Sequence, residues 1–190
     1  PSFLECFKKN AFDQFYNEHI YVLSAIALKN LLKKVGLRII KLENIEIHGG
    51  SLRYHIVHDK NYNFKTSKSL TNQIKAEIKI GLHKFITYKK FAKNVFHLKK
   101  KLIKIFKEIK SKNGKIIGYG ASAKAVTVVN YCNLKENFFD YFIDTTKSKI
   151  GKYLPGTKIP IILETSKLLR EANYLIILSW HIKDELKKIL

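Results

Sequence analysis

The sequence predicts an α/β protein in two parts. In the first part, a helix is followed by two strand-like runs that meet at a pair of glycines. In the second part, short apolar runs alternate with amphipathic helices from residue 115 onward. Two strands joined by a short turn indicate an antiparallel hairpin, whereas strands that alternate with helices indicate a parallel sheet.

The first part begins with a predicted helix over residues 24–35. Apolar residues recur there at helical spacing, Ser24 is a suitable N-cap, and Gly36 follows as a stop signal. The runs at 37–47 (LRIIKLENIEI) and 51–58 (SLRYHIVH) are joined by the turn HGG. Because no helix separates them, they predict an antiparallel hairpin at the edge of a sheet.

A domain boundary is predicted at residues 59–69, which are polar and show no apolar period. This divides the chain into a first domain over 1–58, a linker over 59–69 and a second domain over 70–190. A long amphipathic helix from about 84 to 112 opens the second domain, because apolar residues recur there every three or four positions. Its flanks are nearly all lysine, which favours a helix packed on a domain over a coiled coil.

The rest of the second domain predicts a small Rossmann-like parallel sheet, because strands and helices alternate as in βαβ units. The predicted strands cover residues 115–120, 138–144 and 173–179. The predicted helices cover residues 121–132, 166–172 and 180–190.

The composition limits the classes of partner. A formal net charge of +21 would favour nucleic acid or an anionic membrane. However, only three of the 36 basic residues are arginine, the residue preferred for bidentate contacts with bases and phosphates. A lysine-coated surface is therefore the better interpretation, and we expect no specific nucleic acid partner.

The two cysteines and the apolar runs limit the setting of the protein. Cys6 and Cys132 lie far apart and outside any spacing typical of zinc sites, so no metal site is predicted. With no long apolar run and no signal peptide, we expect no membrane partner and a cytoplasmic location. The chain contains no methionine and opens on PSFLECF, which resembles the end of a helix, so we expect a fragment of a longer protein.

The segment GYGASAK is the candidate anion site of the second domain. Gly118 and Gly120 lie at a strand-to-helix turn, where exposed amides can bind phosphate, and Lys124 adds a positive charge one turn later. A tight turn with an exposed lysine would explain the same residues. Asp144 ends the next strand, where an acid often contacts a ribose, although a capping role is as common. Tyr153, in a loop rich in glycine and proline, could stack on a base or serve only in a turn.

The segment FYNEH is the candidate acid–base site of the first domain. His19 can accept a proton near neutral pH, Glu18 could orient it, and Tyr16 could donate to a developing oxyanion. A buried histidine with its hydrogen bonds satisfied is the alternative. His48 and Arg53 lie on either side of the two glycines of this turn, and Arg53 could hold a phosphate or carboxylate or simply lie on a strand surface.

Five blocks in this order resemble the S-adenosylmethionine-dependent C-methyltransferases that act on nucleotide-linked keto-deoxysugars. The blocks are FDQFYNEHIYVLS, GLRIIKLENIEIHGGSLRYHIV, GYGASAKAVTVVN, FIDTTKSKIGKYLPGTKIPI, and ILSW followed by KDEL. The resemblance runs over nearly the whole chain. It implies that 1–58 is the end of a class I methyltransferase sheet with its antiparallel edge hairpin, and that about 70–190 is the Rossmann-like C-terminal domain.

The resemblance also implies roles for the candidate residues. His19 would remove the proton alpha to the sugar ketone, with Tyr16 as oxyanion or positioning partner and Glu18 as orienting group. His48 and Arg53 would belong to the same cleft. The residues on the nucleotide-sugar side would be Gly118, Gly120, Lys124 and Tyr153, with Asp144 as a further candidate for contact with the substrate.

The cofactors that the resemblance implies would bind outside this chain. The family uses S-adenosylmethionine and a zinc-binding N-terminal segment, and neither the glycine-rich donor loop nor the zinc cysteines are in this sequence. A missing N-terminal half is therefore an expected partner. Two positions depart from the family pattern, Asn17 in place of a common histidine and His181 in place of the usual asparagine.

Two other functions are compatible with parts of the sequence. The GYGAS turn and Asp144 could belong to a dinucleotide-binding oxidoreductase domain, although the third glycine of that fingerprint is missing. The lysine surface could belong to a non-enzymatic module that binds phosphate or nucleic acid, which a steep salt dependence of binding would reveal.

Overall fold

The computed structural model describes residues 1–189 and divides the chain into two compact units, Pro1–Val95 and Phe96–Leu190. Both units mix helices and strands, so the predicted α/β class is confirmed. The domain boundary predicted over residues 59–69 stays a prediction. The described residues contain no helix long and apolar enough to cross a membrane.

Unit 1 is built on an antiparallel hairpin. Its elements are α1 (Phe3–Lys9), α2 (Ala25–Lys33), β1 (Leu37–Ile45), β2 (Ser51–His58), α3 (Lys68–Ile80) and the start of α4 (Phe85–Ser111). The strands pair from Leu37 opposite His58 to Ile45 opposite Ser51, so the predicted hairpin is confirmed. A register shift between Ile39 and Lys41 marks a bulge in β1.

The hairpin packs on α2 and α3 through one apolar cluster, to which β1 contributes buried residues on either side of its bulge. The cluster consists of Ala25, Leu32, Ile39, Leu42 and Leu70. The turn between the strands is a short 3-10 helix, Ile47–Gly49, in which His48 has a φ of 58°. A positive φ is uncommon for a residue other than glycine, and the side-chain amide of Gln14 fixes this turn by donating to the backbone carbonyl of His48.

Helix α3 was not predicted from the sequence. It carries a buried carboxylate, Glu77, that contacts the start of α2. Glu77 is 0% exposed and accepts hydrogen bonds from the backbone N–H groups of Ala25 and Ile26, at 2.8 and 2.9 Å. The Gln73 amide donates a third bond at 3.0 Å. Glu77 therefore caps the N-terminus of α2, where backbone donors have no partner within the helix.

Unit 2 contains a four-stranded parallel sheet in the order β5, β4, β3, β6. Its strands are β3 (Ile116–Tyr119), β4 (Tyr141–Asp144), β5 (Ile161–Leu163) and β6 (Tyr174–Ile177). Its helices are the rest of α4, α5 (Ala123–Cys132), α6 (Ser166–Arg170) and α7 (Lys183–Ile189). The predicted Rossmann-like sheet is confirmed, with β5 as an additional strand. The predicted closing helix reaches residue 190, which lies outside the described residues.

Gly118 lies in the middle of β3 because no side chain fits there. A Cβ atom at this position would collide with the ring of Phe142 on the neighbouring strand β4. The ring in turn packs against Phe139 with centroids 4.8 Å apart. Gly118 therefore serves the packing of the sheet, which brings the ends of β3 and β4 together.

Candidate functional site

His19 and Tyr16 form a hydrogen-bonded pair in the loop between α1 and α2. The Tyr16 hydroxyl lies 2.8 Å from His19 Nε2, and His19 Nδ1 lies 2.9 Å from the backbone oxygen of Gln14. The two rings stack with centroids 3.9 Å apart. The backbone N–H of His19 also donates to the carbonyl of Tyr16, which closes the turn.

The partners of His19 fix its tautomer. A backbone carbonyl can only accept, so Nδ1 must carry the proton and donate to Gln14. In the neutral ring Nε2 is then unprotonated and accepts from the Tyr16 hydroxyl. Burial raises the pKa of Tyr16, and the negative charges of Glu18 and Asp13 raise it further, which keeps the phenol protonated as a donor. Nε2 of the neutral ring is therefore the nitrogen that faces a hydrogen-bond donor.

Glu18 lies on the surface beside this pair. Its side chain is exposed, and the hydrogen bond on His19 Nδ1 comes from Gln14. Glu18 acts on the pair through its charge, which disfavours ionisation of Tyr16. Its predicted role as the orienting group stays a prediction.

His48 lies next to His19, and its predicted place in a substrate cleft stays a prediction. The two imidazole rings meet edge to face with centroids 5.4 Å apart. Gln14, which is 2% exposed, donates its side-chain amide to the backbone carbonyl of His48 and accepts from His19 at its own carbonyl. Gln14 thus connects the loop of His19 to the hairpin turn, and sequence reasoning missed it.

Arg53 lies on the exposed side of β2. Its guanidinium is 3.5 Å from the carboxylate of Glu43, which also pairs with Lys41 at 2.7 Å and His55 at 3.4 Å. No contact joins Arg53 to His19 or Tyr16 within the described residues. Its predicted role in binding substrate stays a prediction.

Unit 2 has a cavity of about 260 Å³ at the carboxyl ends of its parallel strands. Loops at this edge of a parallel sheet commonly line ligand sites, because the strand ends converge there. Each strand contributes residues at or just after its end. The lining is Tyr119, Gly120, Ser122, Ile143, Asp144, Thr145, Thr146, Lys149, Glu164, Ser179, Ile182 and Leu186.

The carboxylate of Asp144 is bound within the fold. Its Oδ1 accepts from the Thr146 N–H at 2.8 Å, and its Oδ2 accepts from the Ala121 N–H at 2.8 Å and from Lys149 Nζ at 2.9 Å. Burial alone would raise the pKa of Asp144, but the hydrogen bonds from Thr146 and Lys149 outweigh it and hold the pKa below its usual value. Asp144 therefore shapes the turn after β3 as an anion.

Tyr119 and Glu164 form a second polar pair in the cavity. The Tyr119 hydroxyl donates to Glu164 Oε2 at 2.8 Å. Burial, together with the adjacent negative charges of Glu164 and Asp144, raises the pKa of Tyr119 to about 12. Tyr119 therefore remains a hydrogen-bond donor at neutral pH. Neither residue was singled out from the sequence.

The other predicted residues of unit 2 have distinct environments. Gly120, with a φ of 79°, lines the cavity at the start of the loop before α5. Lys124 is 3% exposed, and its Nζ lies 3.1 Å from His181 Nδ1 and 5.0 Å from the ring centroid of Trp180. Tyr153 is 63% exposed, and its backbone pairs with Pro160. Gly118, Lys124 and Tyr153 are not among the lining residues of the cavity.

The described part of the chain shows no metal cluster, and its unit 1 has no glycine cradle for a methyl donor. No cluster of three or more histidine, cysteine, aspartate or glutamate side chains could hold a metal ion there. The glycines of unit 1 lie at helix ends and in the hairpin turn, Gly36, Gly49, Gly50 and Gly81. None follows a parallel strand, so these residues do not form a glycine-rich cradle for a nucleoside.

The fold and the two polar sites define an α/β protein with a hydrogen-bonded tyrosine–histidine pair in one unit and a ligand-sized cavity at the end of a parallel sheet in the other. The model of the C-methyltransferase C-terminal domain matches residues 46–190, and the chain belongs to this family. The chain is also 25% identical over 186 residues to the C-methyltransferase NovU of Streptomyces niveus. That match covers 98% of this chain and 44% of NovU, so the chain spans less than half the length of this relative.

Proposed function

We propose that this chain is the C-terminal part of an S-adenosylmethionine-dependent C-methyltransferase that acts on a nucleotide-linked keto-deoxysugar. Membership of the C-methyltransferase C-terminal domain family and the similarity to NovU support the reaction class. The observation that carries the proposal is the geometry of His19, whose Nδ1 lies 2.9 Å from the Gln14 carbonyl while Nε2 lies 2.8 Å from the Tyr16 hydroxyl.

Methylation at carbon needs a carbanion, because a C–H bond is not itself nucleophilic. His19 Nε2 takes the proton from the carbon next to the ketone, and the electron pair of the broken C–H bond forms the enolate. The imidazolium that results keeps its Nδ1–H on the carbonyl of Gln14, a contact that stabilises the positive charge. The Tyr16 hydroxyl is near enough to Nε2 to donate to the enolate oxygen.

S-adenosylmethionine is the cofactor that a methyltransferase relative implies, and it supplies an electrophilic methyl group when bound. The glycines of unit 1 do not follow parallel strands, and we propose that the donor binds in a part of the enzyme outside this chain. We assign to this chain the binding of the acceptor and the removal of its proton. The nucleotide-sugar substrate is the proposed small-molecule partner.

The sheet-end cavity of unit 2 is the proposed site for the nucleoside part of the nucleotide-linked substrate. It lies at the carboxyl ends of parallel strands and is lined by hydroxyl groups and two carboxylates. Such a combination of apolar walls and a few convergent polar groups is typical of small-molecule sites.

Proton abstraction can be measured without a methyl donor. We would incubate the chain in D₂O with a nucleotide-linked keto-deoxysugar and follow the loss of the proton next to the ketone by NMR. We expect the chain to accelerate this exchange over buffer and His19→Gln to slow it by roughly 10²–10⁴-fold, the usual contribution of a general base. His58→Gln, which alters an exposed histidine at the end of β2, is the matched control and should exchange normally.

Exchange no faster than in buffer, or exchange that survives His19→Gln, would contradict the proposal. Calorimetry with thymidine diphosphate and NAD distinguishes the methyltransferase proposal from a dinucleotide-binding oxidoreductase. A response to NAD alone would favour the oxidoreductase interpretation of the GYGAS turn.

A further inference from the structure

The sheet-end cavity is not equipped for a phosphate group. Its single lysine, Lys149, already pairs with Asp144 at 2.9 Å, so these two charges cancel. Glu164 is the remaining charged residue of the lining, and it is negative. A phosphate in this cavity would therefore meet repulsion, whereas a neutral polar group would not.

Glu164 has an unused acceptor in this cavity. Its Oε2 accepts from Tyr119, while its Oε1 accepts no hydrogen bond from the described residues. A carboxylate offers about four lone-pair positions, so Glu164 can bind further hydroxyl groups. Asp144 differs, because both of its oxygens are occupied by groups of the fold.

Ser122 provides an unused donor in the same lining. Its Oγ accepts from the Ala125 N–H at 3.3 Å and from the Ser179 hydroxyl at 3.2 Å. Both contacts use its lone pairs, and its own proton has no acceptor among the described residues. The cavity thus offers a free acceptor and a free donor, which is what a sugar hydroxyl requires because it both donates and accepts.

We propose that this cavity binds the pentose of the nucleotide, with Glu164 accepting from its ring hydroxyls, and that the phosphate groups lie outside the cavity. This inference rests on the proposed function, which places the keto-sugar at His19, a residue that does not line the cavity. Tyr119 is then a positioning residue that holds Glu164 through one oxygen and leaves the other for the ligand. Asp144, at the end of β4, supports the loop. Glu164, which follows β5, is the acid that contacts the pentose.

The test compares diphosphates of equal charge that differ only in the pentose. We would titrate the chain by calorimetry at fixed ionic strength with uridine diphosphate, which has two ring hydroxyls, thymidine diphosphate, which has one, and 2′,3′-dideoxyuridine diphosphate, which has none. We expect the affinity to fall in that order. Hydrogen bonds to a charged acceptor are strong, so Glu164→Gln should lower the affinity for uridine diphosphate by about 10- to 100-fold.

Three further measurements show whether this loss has the proposed cause. The dideoxy nucleotide should bind equally to the chain and to Glu164→Gln, because it has no hydroxyl for Glu164. Tyr119→Phe should lower the affinity for uridine diphosphate by a smaller factor than Glu164→Gln does. Glu171→Gln is the matched control, since Glu171 pairs with Lys115 away from the cavity lining and should leave all three affinities unchanged.

The inference is overturned if the three nucleotides bind alike, if none of them binds, or if Glu164→Gln tightens them, which would place a phosphate beside Glu164. These outcomes differ from a failure of the proposed function. Hydroxyl-dependent binding without proton exchange in D₂O would remove the methyltransferase proposal alone. If proton exchange depends on His19 but the three nucleotides bind with equal affinity, this inference alone is wrong.

Discussion

Replacing Glu77 with glutamine is expected to loosen the start of α2. The Glu77 carboxylate accepts from two backbone N–H groups, those of Ala25 and Ile26, and it is fully buried. Glutamine keeps one acceptor oxygen, so one of these donors would face an NH₂ group and lose its bond. A hydrogen bond to a charged acceptor contributes about 1.5–3 kcal/mol, and the unpaired donor remains buried.

Native-state amide hydrogen exchange is the suitable assay, because it reports local opening in a chain with two units. Since about 1.4 kcal/mol corresponds to a factor of ten, the amides of α2 should exchange about 10- to 100-fold faster in Glu77→Gln. Glu108→Gln is the control, because Glu108 is an exposed residue of α4 paired with Lys104 at 3.8 Å. Less than about a threefold change in Glu77→Gln, or an equal change in the control, would refute the capping role.

Three further predictions concern unit 2. Gly118→Ala should lower stability by about 1–3 kcal/mol in a thermal unfolding scan, because the new methyl group collides with the Phe142 ring; unchanged stability with lost nucleotide binding would instead indicate contact with a ligand. The pKa of Asp144 is held below its usual value, so its contribution to stability is complete above about pH 4. That contribution is lost as the pH falls through the folded-state pKa. Asp144→Asn should remove this acid sensitivity in unfolding experiments. In ultraviolet titration the Tyr119 phenol, with its pKa of about 12, should ionise at lower pH after Glu164→Gln, and no shift would contradict their hydrogen bond.

The elements that could be predicted have a strong local pattern. The hairpin follows from two runs rich in branched residues around a glycine turn, and α4 follows from 27 residues of helical spacing. Helix α3 was missed because a glutamate, Glu77, occupies one of its two buried positions and interrupts the apolar pattern. Strand β5 has three residues, too few to display a period.

The same distinction applies to the two sites. Tyr16 and His19 are three residues apart in one turn, so their proximity could be read from the sequence. Tyr119 and Glu164 are 45 residues apart and meet because β3 and β5 flank β4 in one sheet. Sequence reasoning selected Asp144 for its place at a strand end, but only the contacts show that its oxygens are occupied by the fold.

The burial of Lys124 against Trp180 has a practical consequence. Trp180 is the only tryptophan of the chain, and it lies between Ser179 and Ile182, two residues of the cavity lining. An ammonium group 5.0 Å from the indole ring makes its emission sensitive to small displacements of α5 or of the segment after β6. The chain thus carries an intrinsic fluorophore beside its cavity, which would allow occupancy to be followed in real time without a label.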